Sequence, residues 1–217
     1  MDDDEIFRLT ADNRRLAAEM LAGLSPQQWE QPSLCAGWRV RDVAGHLLLP
    51  LQITFPRLLL EVIRRGSFDR ASDVLSRRMA QWPIDKIVST LRGRADRRVA
   101  PPGPGALGQL TDSCVHLRDA ARPLGLATSP PLTTWRVVLD FLLSPRARMG
   151  FVERGRLDGL RFEATDGDWS QGTGALVRGG SEALAMAICG RPVAMAELTG
   201  DGVAVLRERL DGPLAPA

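Results

Sequence analysis

The chain has no tyrosine, only two histidines and a single lysine, Lys86, among its 217 residues. Histidine is the one side chain whose ordinary pKa places its charge change between pH 5 and 8. His46 and His116 are therefore the main candidates for acid–base or ligand chemistry near neutral pH. The net formal charge is +2, which is too close to balance to predict nucleic acid or an anionic membrane as a partner.

Cysteines and long apolar runs are scarce as well. Cys35, Cys114 and Cys189 are odd in number and widely separated, so a disulfide framework is not expected. No apolar run approaches the roughly 18 residues needed to span a bilayer. The acidic residues 2–5 lack the basic-then-apolar order of a signal peptide. We therefore expect a cytoplasmic protein that does not enter a membrane, and the sequence leaves open whether it is a monomer or a dimer.

Apolar residues recur at helical spacing through most of the first 150 residues. Proline at positions 50, 56 and 83 is expected to kink or break the helices in which it falls, because it lacks the backbone N–H donor. Ser25 and Pro26 favour a cap and a first helical residue. The predicted helices cover residues 4–24, 39–65, 69–98, 106–122 and 133–149.

The pattern changes after residue 150. Residues 160–165 alternate apolar and polar side chains, as in a half-buried strand, and glycine-rich turns follow. Two short helices are predicted over residues 181–189 and 202–210. We expect an α+β protein with a helical bundle over residues 1–150 and a smaller C-terminal α+β domain over residues 151–217.

One group of residues can hold a metal ion. Asp112 and His116 stand four apart on a predicted helix, so both side chains project from one face about 6 Å apart. His46 lies on another predicted helix, and two inward-facing helices of a bundle can bring it opposite that pair. Two imidazoles and a carboxylate leave a coordination position open, as in a catalytic zinc site.

Spacing alone does not say which aspartate binds, since Asp42 also stands four residues before His46. Asp42 falls in the first turn of its helix, where the helix N-terminus favours a carboxylate. The alternative for Asp42 is a hydrogen bond that orients His46.

The sequence predicts less specific roles for the cysteines, for Asp119 and for a Gly-x-Gly segment. Cys114 lies two residues from both Asp112 and His116, so it is expected to face away from them into the core. Cys35 and Cys189 are expected to serve in packing. Asp119 either orients a metal ligand or faces solvent. The Gly-x-Gly at residues 172–174 does not open a long helix after a strand, so a nucleotide-binding loop is not expected.

Two motifs carry a family resemblance. Residues 24–29 (LSPQQW) and 32–47 (PSLCAGWRVRDVAGHL) resemble the N-terminal signature of mycothiol-dependent maleylpyruvate isomerase-like proteins, actinobacterial members of the DinB-like metal-binding helical bundles. Residues 112–119 (DSCVHLRD) resemble the second motif of that family. The resemblance extends to three C-terminal segments, ATDGDW at 164–169, CGR at 189–191 and LTGDG at 198–202.

The resemblance implies a DinB-like four-helix bundle at the N-terminus with a divalent metal, usually zinc, held by His46, Asp112 and His116. The acidic ligand of the family is typically glutamate. Asp112 is one methylene shorter, so its helix must approach the metal more closely or the metal must differ. The resemblance also implies a low-molecular-weight thiol, mycothiol, and a small-molecule substrate as partners.

The implied chemistry is thiol addition. A cation lowers the pKa of a coordinating thiol, and the thiolate adds to an electrophilic carbon. An isomerase would add it to a cis double bond, allow rotation and release it; a transferase would keep the adduct. Arg191 either reaches an anionic substrate or the thiol across the domain interface, or is a surface or helix-capping arginine.

Two other functions stay open from the sequence. A metal-dependent hydrolase would use activated water in place of the thiol. A non-catalytic ligand-binding protein would retain the metal site only as a remnant.

Overall fold

The computed structural model describes residues 1–211, which contain α-helices, three short 3-10 helices and one three-stranded sheet. The chain divides into two compact units. Residues 1–99 and 112–129 form the first, and residues 100–111 together with residues from 130 onward form the second. The predicted α+β class with a helical N-terminal part is confirmed. No helix among the described residues is both long and apolar enough to cross a membrane.

The first unit is helical. Its short 3-10 helix covers Arg122–Leu124, and helix α8 enters it from the second unit at Asp112. The helices are α1 (Asp3–Ala22), α2 (Pro26–Trp29), α3 (Val40–Leu47), α4 (Leu49–Gln52), α5 (Phe55–Arg65), α6 (Phe68–Ala80), α7 (Ile84–Gly93) and α8 (Gly105–Ala121).

Local sequence explains where these helices begin and end. The Ser25 side chain accepts a hydrogen bond from the backbone N–H of Gln28, and the Gln28 side chain accepts one from Ser25, which confirms the predicted cap. The interruptions predicted near Pro50 and Pro56 are present, but they divide residues 39–65 into three helices instead of kinking one helix. Pro50 and Pro56 stand in the first turns of α4 and α5, where a missing N–H costs nothing. The predicted break near Pro83 is confirmed between α6 and α7.

Close packing of α3 on α6 places the first candidate ligand. A Cβ atom at Gly45 would overlap the carbonyl oxygen of Ser76 and lie 2.8 Å from the backbone nitrogen of Ala80. Only glycine therefore allows the two helices to approach so closely. His46, the next residue, is held at the α3–α6 contact by this packing.

Helix α8 is joined to α1 through buried polar side chains. Asn13 donates a hydrogen bond to Ser113 over 3.0 Å. Arg14, only 2% exposed, donates to the carbonyl oxygens of Ala95 and Arg97 beyond α7. The Asn13 bond therefore joins α1 to α8, and the Arg14 bonds join α1 to the segment that follows α7.

The second unit carries the sheet. Its helices are α9 (Leu132–Leu142), α10 (Ser181–Ile188) and α11 (Gly202–Asp211), with 3-10 helices at Pro145–Arg148 and Pro192–Glu197. Strands β1 (Leu160–Ala164), β2 (Ser170–Gly172) and β3 (Ala175–Gly179) lie in the order β2-β1-β3. Strand β1 pairs antiparallel with β2 and parallel with β3, so Phe162 stands opposite Gln171 and Val177.

The predicted domain boundary near residue 150 does not coincide with the division into compact units. Residues 100–111 and 130–150 group with the C-terminal unit. A division at residue 150 into separate domains stays a prediction. The Gly-x-Gly of residues 172–174 joins β2 to β3.

Candidate metal centre

The structure brings His46, Asp112 and His116 together within the first unit. His46 lies in the last turn of α3, and the other two lie one turn apart on α8. The Asp112 Oδ1 atom is 3.2 Å from His46 Nε2 and 3.5 Å from His116 Nε2. The ligand atoms of all three residues lie within 4.8 Å of one another. Three donors from two helices thus converge on one point.

These distances fit a bound cation. Zinc ligands at 2.0–2.1 Å in tetrahedral directions lie about 3.4 Å from one another. The carboxylate oxygen stands 3.2 and 3.5 Å from the two Nε2 atoms, which matches two edges of such a tetrahedron. The donor set of two imidazoles and one carboxylate is also the kind that zinc takes in catalytic sites. The residues present therefore fit a divalent metal.

The far nitrogen of His46 is held by two serines of α6. His46 Nδ1 lies 3.2 Å from Ser76 Oγ and 3.3 Å from Ser72 Oγ. Both serines are buried. A histidine whose Nδ1 is held by a hydrogen-bond partner presents Nε2 as the ligand atom in a fixed direction.

The far nitrogen of His116 faces an acid. His116 Nδ1 lies 3.0 Å from Asp119 Oδ2, and Asp119 is fully buried. Of the two roles predicted for Asp119, the solvent-facing one is wrong. Burial lowers the pKa of His116, but Cys35, Asp112 and the hydrogen bond with Asp119 together raise it well above its ordinary value.

Burial and three neighbouring basic side chains set the pKa of Asp112. Burial raises the pKa of its carboxyl group, yet His46, His116 and the buried Arg14 lower it more strongly, to about 2. The carboxylate is thus charged throughout the physiological range. Its side chain is 26% exposed, against 13% for His46 and 15% for His116, so Asp112 is the most exposed of the three residues.

Asp42, the other aspartate four residues before a histidine, has a structural role. Its carboxylate accepts hydrogen bonds from the backbone N–H of Arg39 at 2.9 Å and from the Arg39 guanidinium at 3.0 and 3.2 Å. Burial raises the pKa of Asp42, but these contacts lower it below its ordinary value. Asp42 therefore caps the start of α3, as the first-turn reading predicted.

Trp38 forms a wall beside the two imidazoles. Its ring centre lies 5.3 Å from that of His46 and 6.3 Å from that of His116. The indole N–H donates to Asp73 Oδ1 over 2.7 Å, and the same oxygen accepts a bond from Arg77 at 2.8 Å. The aromatic face is thus fixed in orientation next to the ligand atoms.

Cys35 is the residue that sequence reasoning missed. It packs against the edge of the core, as predicted, yet its Sγ atom also lies 3.1 Å from Asp119 Oδ2 and 3.5 Å from His116 Nδ1. Its place in the first motif, eleven residues before His46, was the available signal, but no helical spacing relates a loop residue to a distant helix. Cys114 is fully buried as predicted, and burial raises the pKa of its thiol.

Arg191 lies in the second unit, at the start of the 3-10 helix Pro192–Glu197. Its Nη1 donates to the carbonyl oxygen of Cys189 over 2.6 Å. This contact accounts for a local role. The predicted contact of Arg191 with a substrate or thiol stays a prediction.

Comparison with known proteins gives two results. The profile of the mycothiol maleylpyruvate isomerase N-terminal domain matches residues 10–149. A mycothiol-dependent maleylpyruvate isomerase and a histidine-to-alanine mutant of it have similar structures, with TM-scores of 0.60 and 0.59 and 13% identity. The alignments cover 100% of this chain and 97% of each relative.

At this identity the structural likeness shows the fold alone. No curated protein matches the chain significantly. The family profile, however, covers more than half of the chain and includes all three converging residues. The chain therefore belongs to the family defined by the mycothiol maleylpyruvate isomerase N-terminal domain, as its two motifs predicted.

Proposed function

We propose that this protein is a metal-dependent enzyme that uses mycothiol to isomerise, or to transfer the thiol to, a small electrophilic substrate. The family and both structural relatives point to a mycothiol-dependent enzyme of the maleylpyruvate isomerase kind. The observation that carries the proposal is the convergence of His46 Nε2, Asp112 Oδ1 and His116 Nε2.

His46, Asp112 and His116 would hold the divalent metal, for which we propose zinc. A bound zinc ion lowers the pKa of a coordinating thiol, so that the thiolate forms near neutral pH. Ser72, Ser76 and Asp119 keep the two imidazoles oriented through their Nδ1 atoms. The shorter aspartate at position 112 reaches both Nε2 atoms at 3.2 and 3.5 Å, which supports a compact set of ligands.

The reaction proposed for the thiol conserves its atoms. The thiolate sulfur would add to one carbon of a cis double bond conjugated to a carbonyl, and the π-electron pair of the double bond would move onto the carbonyl oxygen. Rotation about the carbon–carbon bond, now single, would follow, and cleavage of the carbon–sulfur bond would return the trans alkene and the thiolate. In a transferase, protonation of the adduct would stop the sequence before release.

The residues around the centre limit where a substrate lies. Trp38 occupies one side with a fixed aromatic face. Asp112 is the most exposed of the three ligand residues, so we propose that the substrate approaches the centre from its side.

The test is turnover of maleylpyruvate by the zinc-loaded protein with and without mycothiol, followed by the change in ultraviolet absorbance. We expect a thiol-dependent reaction that His46→Ala and His116→Ala each reduce by at least 100-fold, on the order of what loss of a positioned catalytic group costs. Cys114→Ala, a core truncation on the same helix, should retain activity.

Undiminished turnover in His46→Ala would refute the proposed role of the centre. Ester hydrolysis without any thiol would instead support the hydrolase alternative.

For Arg191 we propose contact with an anionic group of the substrate or thiol. Arg191→Ala should then raise KM and leave zinc affinity unchanged, whereas an unchanged KM would limit Arg191 to its bond with the Cys189 carbonyl.

A further inference from the structure

The loop of residues 33–38 is fixed against helix α8. The backbone N–H of Leu34 donates to the carbonyl oxygen of Asp119 over 3.0 Å. Within the loop, Ser33 N–H donates to the Trp38 carbonyl at 2.9 Å, and Cys35 N–H donates to Ser33 Oγ at 3.1 Å. These bonds set the position of the Cys35 side chain relative to residues 116–119.

Two donors meet one oxygen of Asp119. The Cys35 thiol donates to Oδ2 at 3.1 Å, and His116 Nδ1 lies 3.0 Å from the same oxygen. Sγ and Nδ1 are themselves 3.5 Å apart. Sγ therefore lies beside Nδ1, while the other ring nitrogen, Nε2, faces Asp112, and Sγ contacts the same carboxylate oxygen as Nδ1.

We propose that Cys35 is a positioning residue for the metal ligand His116. By donating to Asp119 and packing against the ring edge, Cys35 holds the carboxylate where it keeps His116 Nε2 directed at Asp112. Partners that hold a metal ligand in this way raise metal affinity without touching the metal. This inference rests on the proposed function, since it requires that His116 bind a metal.

Cys114 provides a matched comparison. Both cysteines lie within the first unit and both contribute to packing, but Cys114 is fully buried two residues from each α8 ligand and faces the core. Removing either thiol leaves a small cavity and lowers stability. Only removal of Cys35 takes a hydrogen-bond donor from Asp119. A measurement of metal affinity therefore distinguishes a positioning role of Cys35 from a packing role like that of Cys114.

The experiment measures zinc affinity by competition with a chromophoric chelator, together with the visible spectrum of the cobalt-loaded protein. Loss of a direct partner of a metal ligand costs about 10- to 100-fold in affinity. Cys35 acts through Asp119, so we expect Cys35→Ala to weaken zinc binding by about 10-fold, the lower end of that range, and to alter the cobalt ligand-field bands. Cys35→Ser, which keeps a donor, should recover most of the affinity. Cys114→Ala should bind zinc as the wild type does.

Three outcomes would count against the inference. Equal affinity in Cys35→Ala and the wild type would overturn it while leaving the metal site intact. Equal weakening in Cys35→Ala and Cys114→Ala would reduce Cys35 to packing. Failure of the wild type itself to bind zinc or cobalt would overturn the proposed function, and the inference with it.

Discussion

Asp42 and Asp112 each precede a histidine by four residues, but replacing them with asparagine should have different effects on stability and on metal binding. Asp42→Asn and Asp112→Asn make the same chemical change, yet Asp42 caps α3 and Asp112 faces both imidazoles. We expect Asp42→Asn to lower stability and keep metal binding. We expect Asp112→Asn to abolish the stabilisation that metal gives.

The magnitude for Asp42 follows from its contacts. Breaking a buried ion pair typically costs about 3–5 kcal/mol. The Arg39 side chain is 39% exposed while Asp42 is fully buried, so water can hydrate the freed guanidinium, and asparagine still accepts the backbone bond. The expected loss is therefore about 2 kcal/mol, or about 4–8 °C in Tm for a chain of this size.

The gain in thermal stability on zinc binding is the second quantity to measure. At a free zinc concentration about 100-fold above Kd, binding stabilises the folded state by about 2.7 kcal/mol, or about 5–11 °C in Tm. The assay is thermal unfolding with zinc and with a chelator. Wild type and Asp42→Asn should gain equally from zinc, and Asp112→Asn should gain little. The reasoning fails if Asp42→Asn loses the zinc-dependent gain and Asp112→Asn retains it.

Three further predictions follow from the same contacts. Gly45→Ala should destabilise the protein by at least about 2 kcal/mol, because its Cβ would overlap the Ser76 carbonyl oxygen, and thermal unfolding that matches the wild type would contradict this. The pKa of Asp42 is lowered in the folded state, so its contribution is present above pH 4 and is lost as the pH falls through the folded value. The stability difference between wild type and Asp42→Asn should therefore shrink on acidification in denaturant titrations, and a constant difference down to about pH 2 would argue against the capping role. Cys114 should resist alkylation at pH 8 until the protein unfolds, because burial raises the pKa of its thiol; rapid labelling detected by peptide mass spectrometry would show that it is accessible.

The helices of the first unit were partly readable from the sequence. The capped start at Ser25 and Pro26 was predicted, because both residues act through local hydrogen bonds and backbone angles. The helix over residues 39–65 was predicted too long. Periodicity continues across Pro50 and Pro56, and only tertiary packing decides whether a proline kinks one helix or begins another.

The candidate metal centre was also predictable only in part from the sequence. The pairing of Asp112 with His116 depends on one helical turn, so spacing was sufficient to predict it. The position of His46 depends on the packing of α3 against α6 at Gly45. The residue pattern can suggest that two helices pack together, but it does not give the distance between them. The orientation of the helices decides between Asp42 and Asp112, and in the sequence only the family motif indicated Asp112.

Cys35 shows what local patterns do not carry. Its contact with residues of α8 depends on a loop whose backbone bonds to Asp119, and these residues are more than eighty positions apart. From the sequence alone, only a packing role was predicted for Cys35. The division into compact units was equally hard to read, since α8 contributes residues to both.

The central claim is that His46 Nε2, Asp112 Oδ1 and His116 Nε2 bind one cation. A crystal structure of the zinc-loaded protein, with anomalous data on both sides of the zinc absorption edge, tests it most directly. We predict one anomalous peak in the first unit within about 2.0–2.2 Å of all three atoms. A peak elsewhere, or none in protein shown by elemental analysis to carry zinc, would contradict the account.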